Sequence, residues 1–203
     1  MRKVGFVDDE SINYADYAKR LKRRDVSLLF YDGDNTAASI VDWIIREELL
    51  CVLIDFDLRK KFARNGTDLI FEINQALPDF PCIILTNYPE DSKGEHLVPQ
   101  RLIWDRAMMN APDLSKVVSA IEDEIVVYLK RKDVLYLQYS ELVDKRTNAT
   151  LSANEEERFL RLHSLFSKYG ETDDVPVQLL SSDTNKKLDS LIEHLSQLLD
   201  KKD

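Results

Sequence analysis

Short apolar runs alternate with amphipathic stretches over roughly the first 125 residues of the chain. Five of the runs are too short for helices, and their mostly apolar character predicts strands that are buried on both faces. They span residues 4–7, 26–31, 51–56, 82–86 and 101–104. Between them, apolar residues stand three and four positions apart and predict helices over 11–24, 36–49 and 67–77. This alternation indicates an α/β fold with a doubly wound, five-stranded parallel sheet.

The strand pattern stops near Asp113, and the rest of the chain has a helical pattern. Asp113 is a suitable N-cap for a long helix from Leu114 to about Lys145. Its apolar positions keep a heptad-like spacing that only Lys132 interrupts. They are Leu114, Val118, Ile121, Ile125, Tyr128, Leu135, Tyr139 and Leu142.

Two further helices are predicted after the long one. Ser152 and Glu155 form a capping-box pattern ahead of an apolar face, and Gly170 is a suitable stop. Another helix is expected over about 183–199. We therefore predict an α/β domain over residues 1–128 and a helical extension over 129–203. The apolar stripe of the long helix runs past any small sheet, so we expect it to pair with a second subunit, giving a homodimer, or to fold back onto the later helices.

Composition and charge narrow the class of protein. The formal net charge is −9, and the helix near Phe159 begins with three glutamates, so a nucleic-acid partner is not expected. No apolar run approaches the ~18 residues of a membrane span, and no targeting segment is recognisable, which predicts a cytoplasmic protein without a membrane partner. Cys51 and Cys82 lie in apolar runs without metal-site spacing, and we expect ordinary buried thiols there.

Acidic residues follow two of the predicted strands. Asp8 and Asp9 close the first strand, and Asp55 and Asp57 end the third. In a sheet of order 2-1-3-4-5, ligands bind outside the carboxyl ends of the strands, where the order reverses between the first and third strands. Carboxylates crowded there repel one another, and Mg²⁺ is the hard, oxygen-bound cation that suits such a site. Thr86 ends the fourth strand, so its hydroxyl is expected to face the same pocket.

The order of these motifs over residues 1–128 resembles that of the receiver domain of two-component response regulators. The likeness rests on Asp8 and Asp9 after the first strand, Asp55 at the end of the third, Gly66 before the third helix and Thr86 at the end of the fourth strand. The 46-residue spacing between Asp9 and Asp55 also agrees with that family.

The resemblance implies a function and a site. It implies that Asp55 accepts a phosphoryl group from a histidine kinase, and that Mg²⁺ binds Asp8, Asp9, Asp55 and the backbone carbonyl of Asp57. It further implies that Thr86 contacts the phosphoryl group and that the domain signals through protein contacts. The protein would then not be an enzyme with a separate substrate, since its only chemistry is its own phosphorylation and slow autodephosphorylation.

Departures from the family pattern after the fifth strand and after Asp55 bear on this function. The family has a lysine followed by proline after the fifth strand, whereas this chain has Arg106 followed by Ala107. Arg106 is either a replacement for the lysine, as a phosphoryl-contact or switch residue, or an ordinary solvated arginine. A planar guanidinium is not equivalent to the point charge of a lysine ammonium. The loop after Asp55 is long and basic over residues 59–64, as expected of a solvated loop or of a segment that guides a kinase or guards the pocket.

Alternatives of other classes stay open. Without the lysine, the domain could be a pseudo-receiver that is never phosphorylated and acts as a scaffold. The pair Asp55 and Asp57 also resembles that of haloacid-dehalogenase-like phosphatases, although that family places the pair after its first strand. His163 faintly resembles the phosphorylated residue of a histidine phosphotransfer domain, but a surface position on a helix is the expected interpretation.

Overall fold

Five parallel strands form one sheet in the computed structural model, which describes residues 1–62, 64–172, 175 and 180. They are β1 (Arg2–Val7), β2 (Val26–Phe30), β3 (Cys51–Ile54), β4 (Cys82–Thr86) and β5 (Ile103–Asp105). The strand order is β2-β1-β3-β4-β5, and every neighbouring pair is parallel. The predicted doubly wound sheet is therefore confirmed, with the order reversing between β1 and β3.

Seven α-helices are present among the described residues. They are α1 (Tyr14–Lys22), α2 (Ala37–Arg46), α3 (Arg59–Phe62), α4 (Gly66–Ala76), α5 (Pro89–Gly94), α6 (Ser115–Asn148) and α7 (Ala153–Lys168). Short 3₁₀ helices cover Gln100–Leu102 and Arg106–Asn110. The long helices predicted within the described residues are recovered with slightly different ends, whereas the short helices α3 and α5 were not predicted.

Helices cover both faces of the sheet because the strand residues on both faces are apolar. On one face Phe6 belongs to the same buried cluster as Tyr17 of α1 and Ile121 of α6. On the other face, a β-carbon added at Gly5 would lie 2.8 Å from the ring of Trp43 in α2. Glycine at position 5 therefore lets α2 pack directly against β1.

The chain divides into two compact units, Met1–Arg131 and Lys132–Asp203. In the second unit, the apolar stripe of α6 packs against α7. The buried members of this cluster are Leu142, Phe159, Leu162 and Phe166, with Leu135 and Tyr139 packed against them. Of the two expected ways to bury the stripe, the structure shows the fold-back within the chain.

The ends of α7 follow the sequence signals. The Glu155 carboxylate accepts hydrogen bonds from the Ser152 backbone N–H at 2.9 Å and from its hydroxyl at 2.8 Å. After the helix, Gly170 has a φ of 70°, the left-handed conformation that favours glycine at a helix end. The helix predicted over 183–199 lies outside the described residues. No helix in the described part of the chain is both long and apolar enough to cross a membrane.

His163 is not at the surface, which corrects the sequence-based expectation. It is 6% exposed, and its Nδ1 lies 2.8 Å from the Tyr139 hydroxyl. The ring packs beside Phe159, with 6.0 Å between centroids. Residues 159, 162, 163 and 166 follow the 3.6-residue period and share the buried face of α7.

Lys132, which interrupts the apolar stripe, interacts with polar and aromatic groups of the second unit. Its ammonium group pairs with the Glu171 carboxylate and lies 5.3 Å from the centroid of the Tyr169 ring. The lysine stem can thus lie along the apolar stripe while its charge is neutralised at the edge.

Candidate functional site

Three carboxylates converge at the carboxyl ends of β1 and β3. Val7 pairs with Ile54 in the sheet register, so the residues that follow them, Asp8 and Asp55, leave the sheet side by side. One carboxylate oxygen from each of Asp8, Asp9 and Asp55 lies within 4.8 Å of the other two. The predicted convergence of these acids at the reversal point is confirmed.

Burial sets the electrostatics of this acid pocket. The side chain of Asp8 is 2% exposed and that of Asp55 is 13% exposed. Burial raises the pKa of Asp55 to about 6, the nearby Arg106 guanidinium works against this rise, and the Asp8 charge adds to it. The pKa of Asp9 is also raised, by burial first and by the Asp8 charge second. Burial and the neighbouring Asp8 charge therefore both favour the protonated forms of Asp55 and Asp9.

Arg106 supplies the positive charge inside the acid pocket. Its Nη2 donates to Asp8 Oδ2 at 2.8 Å and lies 2.8 Å from Asp55 Oδ1, so one nitrogen bridges the two carboxylates. It also donates to the Leu85 carbonyl at 3.4 Å. Arg106 is only 8% exposed, so the interpretation as a solvated arginine was wrong. A buried guanidinium at this place is stabilised by two carboxylates that themselves need a counter-charge.

The 3₁₀ helix after β5 carries Arg106 to this position. Asp105 ends β5, and its carboxylate accepts the Ala107 backbone N–H at 2.8 Å, which caps the turn. The Nε of Arg106 is buried and has no hydrogen-bond partner within the described part of the chain. The arginine therefore holds the two aspartates through one nitrogen while another of its donors is unsatisfied.

Thr86 lies at the end of β4 and is 1% exposed. Its Oγ1 accepts the Tyr88 backbone N–H at 3.0 Å, so the hydroxyl oxygen satisfies a local backbone group. A hydroxyl that accepts one hydrogen bond still has its own hydrogen to donate. The predicted contact of Thr86 with a phosphoryl group is compatible with this bond and stays a prediction.

The basic loop after Asp55 forms the helical turn α3 rather than an extended loop. Leu58 and Phe62 are fully or almost fully buried and hold the turn against the domain. Lys60 donates to the Glu10 carboxylate, although its side chain is 73% exposed. The Lys60 charge also opposes the rise in the pKa of Asp9. This cation at the edge of the acid pocket was missed because Lys60 and Glu10 are 50 residues apart.

The start of α4 lies directly against the backbone of Asp55. A β-carbon added at Gly66 would lie 2.2 Å from the Asp55 carbonyl oxygen, and the Gly66 N–H donates to the Phe56 carbonyl at 2.8 Å. Asn65 caps the helix by accepting the Asp68 N–H at 2.9 Å. Gly66, the glycine of the receiver-like motif, is therefore required by the close approach of two backbone segments beside the acid pocket.

The Asp57 carboxylate adds to the rise in the pKa of Asp9.

The comparisons with known proteins agree with the fold. No protein-family model and no curated protein matches the sequence. The signal receiver domain of an HD domain-containing protein from Pseudomonas fluorescens Pf-5 is 16% identical, with a TM-score of 0.51 over 65% of this chain and 92% of that one. A sensor protein from Polaromonas sp. JS666 is 12% identical, with a TM-score of 0.50 over 63% and 98% of the two chains. The chain thus has the fold of a signal receiver domain over about two thirds of its length.

Proposed function

We propose that the first unit is a response-regulator-like receiver that accepts a phosphoryl group on Asp55 from a histidine kinase, in a Mg²⁺-dependent reaction. The observation that carries this proposal is the position of Asp55 at the end of β3, with its carboxylate beside those of Asp8 and Asp9. The receiver fold places this pocket at the reversal point of the sheet, where doubly wound proteins bind ligands.

The Asp55 carboxylate is suited to act as the nucleophile. With a pKa of about 6 it is mostly ionised at neutral pH, and its burial keeps it poorly solvated. A carboxylate oxygen would attack the phosphorus of a phosphohistidine, so that a P–O bond forms while the P–N bond breaks and the imidazole nitrogen keeps the electron pair. The product is an acyl phosphate on Asp55, whose phosphoryl oxygens carry roughly −1.5 to −2 charges in place of the single charge of the carboxylate.

The donor set fits a divalent metal ion. Carboxylate oxygens of Asp8, Asp9 and Asp55 lie within 4.8 Å of one another, and hard oxygen donors of this kind are those that Mg²⁺ prefers. These three residues, with the backbone carbonyl of Asp57, would hold the ion. When bound, Mg²⁺ would neutralise charge on the oxygens of the transferred group. Thr86 at the end of β4 would donate its hydroxyl hydrogen to the same group.

A second candidate is a pseudo-receiver that acts as a scaffold without being phosphorylated. The arrangement of Arg106 favours it, because the guanidinium already bridges Asp8 and Asp55 at 2.8 Å from each. A pocket closed permanently in this way would have its own counter-charge and would need no metal. The two candidates differ in whether Arg106 can leave the aspartates.

In either case the protein would signal through protein contacts rather than act on a separate substrate. We also propose a homodimer. The apolar stripe of α6 is covered by α7. On the same helix, Val134 and Leu137 are apolar, lie one turn apart and are 53% and 64% exposed. A second copy of this chain would bury them. The cytoplasmic location stays a prediction from the sequence.

Binding of beryllofluoride tests the phosphoryl acceptor. In the presence of Mg²⁺, ¹⁹F NMR should show a protein-bound signal for the wild type and none for Asp55→Ala. Asp42→Ala, which removes an exposed acid on α2, should retain the signal. If the wild type gives no bound signal, Asp55 is not a phosphoryl acceptor and the scaffold function is supported instead.

A further inference from the structure

The acid pocket contains a cation that belongs to the chain itself. The Nη2 atom of Arg106 lies 2.8 Å from Asp8 Oδ2 and 2.8 Å from Asp55 Oδ1. The other oxygen of Asp8, Oδ1, accepts the Glu10 backbone N–H at 2.9 Å. Both oxygens of Asp8 therefore already accept hydrogen bonds, and one of them accepts from the guanidinium.

A divalent cation and this guanidinium need the same oxygens. Mg²⁺ requires oxygen lone pairs that point at it from short range in near-octahedral geometry. The Arg106 hydrogen bond directs a lone pair of Asp8 Oδ2 toward a nitrogen, and Asp55 Oδ1 is in ion-pair contact with the same nitrogen. Two positive groups in a pocket of low dielectric also repel each other strongly. Joint occupancy of the bridging position is thus unfavourable on both geometric and electrostatic grounds.

The bridge formed by Arg106 is incompletely satisfied. Its Nε is buried without a hydrogen-bond partner among the described residues, and its contact with the Leu85 carbonyl is long, at 3.4 Å. A buried donor without an acceptor costs free energy. An arginine that exchanged Asp8 and Asp55 for the oxygens of an incoming phosphoryl group would gain acceptors for more than one of its donors.

We propose that Arg106 is a built-in counter-cation that competes with divalent metal for Asp8 and Asp55, so that metal binds only when the guanidinium has left them. The proposal rests on the function proposed above and adds a condition to it. Metal and arginine then define two states of the pocket, one closed by Arg106 and one open to the ion. If the closed state holds about 90% of the molecules, the apparent affinity for metal is about tenfold weaker than that of the open pocket.

Titration of the metal-free full-length protein with MgCl₂ at constant ionic strength tests this competition. Calorimetry would give the dissociation constants of the wild type, Arg106→Lys and Arg106→Gln. The lysine variant is decisive because it keeps the positive charge but replaces the planar fork with a shorter reach and a different geometry. Arg101→Gln, at an exposed arginine of the same unit, is the matched control for net charge.

We expect both Arg106 variants to bind Mg²⁺ about tenfold or more tightly than the wild type, and Arg101→Gln to bind like the wild type. If only Arg106→Gln gains affinity and Arg106→Lys matches the wild type, charge alone explains the effect and the competition is refuted, while the phosphoryl-acceptor function stands. If no variant binds Mg²⁺, both proposals fail.

A measurement on the wild type does not depend on how the variants fold. The Nε–H resonance of Arg106 in ¹⁵N–¹H NMR spectra should shift as Mg²⁺ saturates the protein, because the guanidinium changes partners. A resonance that stays in place at saturation overturns the proposal.

Discussion

The backbone of Gly66 lies so close to Asp55 that a β-carbon at position 66 would be 2.2 Å from the Asp55 carbonyl oxygen. Real β-carbons do not approach a backbone oxygen so closely, and two backbone segments cannot move apart as a flexible side chain can. The start of α4 and the end of β3 therefore fix each other's position. This contact fixes the backbone of Asp55, the proposed phosphoryl acceptor.

Gly66→Ala should consequently destabilise the first unit and disturb the acid pocket. We expect the free energy of unfolding to fall by about 2 kcal/mol or more, as for other overpacked sites. Urea unfolding checks this change. Gly94→Ala is the matched control, since nothing lies within 4 Å of a β-carbon there, and it should change stability by less than about 1 kcal/mol. Equal stabilities of the two variants would contradict the close approach.

The burial of Asp55 predicts a pH-dependent effect of Asp55→Asn. The pKa of Asp55 is raised from 3.8 to about 6 in the folded protein, so the folded state holds this proton more tightly than the unfolded state does. Its ionisation therefore lowers the free energy of unfolding as the pH rises from about 4 to above 6. In metal-free protein at pH 8, Asp55→Asn should be more stable than the wild type by about 2 kcal/mol, and near pH 4 the difference should shrink strongly.

Thermal unfolding from pH 4 to pH 8 in the presence of EDTA measures this difference. Asp42→Asn, at an exposed acid on α2, is the control and should follow the wild type at every pH. A variant Asp55→Asn that is less stable than the wild type at pH 8 would show that the ion pair with Arg106 outweighs the cost of burying Asp55.

The sheet and the acids could be predicted because each depends on local patterns. Buried parallel strands are continuous apolar runs, and the residues that follow β1 and β3 must meet where the strand order reverses. Asp8 and Asp55 were found in this way, without any contact being visible in the sequence. The capping box of Ser152 and Glu155 was equally local, since its two members are three residues apart.

The bridge of Arg106 could not be predicted because it depends on groups far apart in the chain. Arg106 is 98 residues from Asp8 in the sequence. Burial of its charge is favourable only beside carboxylates such as Asp8 and Asp55. A single arginine after a strand has no periodic signal that distinguishes it from a solvated one. For His163 a signal did exist, since the 3.6-residue period places it on the same face as Phe159 and Phe166.

Tyr139→Phe should destabilise the second unit. The Tyr139 hydroxyl is 2.8 Å from His163 Nδ1, and the other ring nitrogen of this buried histidine has no partner among the described residues. Removing the hydroxyl leaves both nitrogens unsatisfied, which should cost about 1–3 kcal/mol of the free energy of unfolding. Tyr136→Phe alters a half-exposed tyrosine of the same helix and should cost less. Equal losses in urea unfolding of the two variants would argue against a stabilising hydrogen bond.

The proposed homodimer predicts a concentration-dependent association that Val134 and Leu137 support. Val134→Glu with Leu137→Glu would place two charges on the exposed apolar positions of α6 and should convert a dimer to a monomer. Sedimentation velocity of the full-length wild type and variant measures this. Lys130→Glu, at an exposed position of the same helix, lowers the net charge by the same two units and is the matched control. A wild type that sediments as a monomer, or a variant that remains a dimer, contradicts this surface as the interface.

Phosphorylation of the full-length protein by acetyl phosphate is the most direct test of the central claim. Mass spectrometry after incubation with acetyl phosphate and Mg²⁺ should find one added phosphoryl group on Asp55. The group should be absent from Asp55→Ala and from wild type treated in EDTA. No added group in the wild type, or a group on another residue, would contradict the assignment of Asp55 as the phosphoryl acceptor.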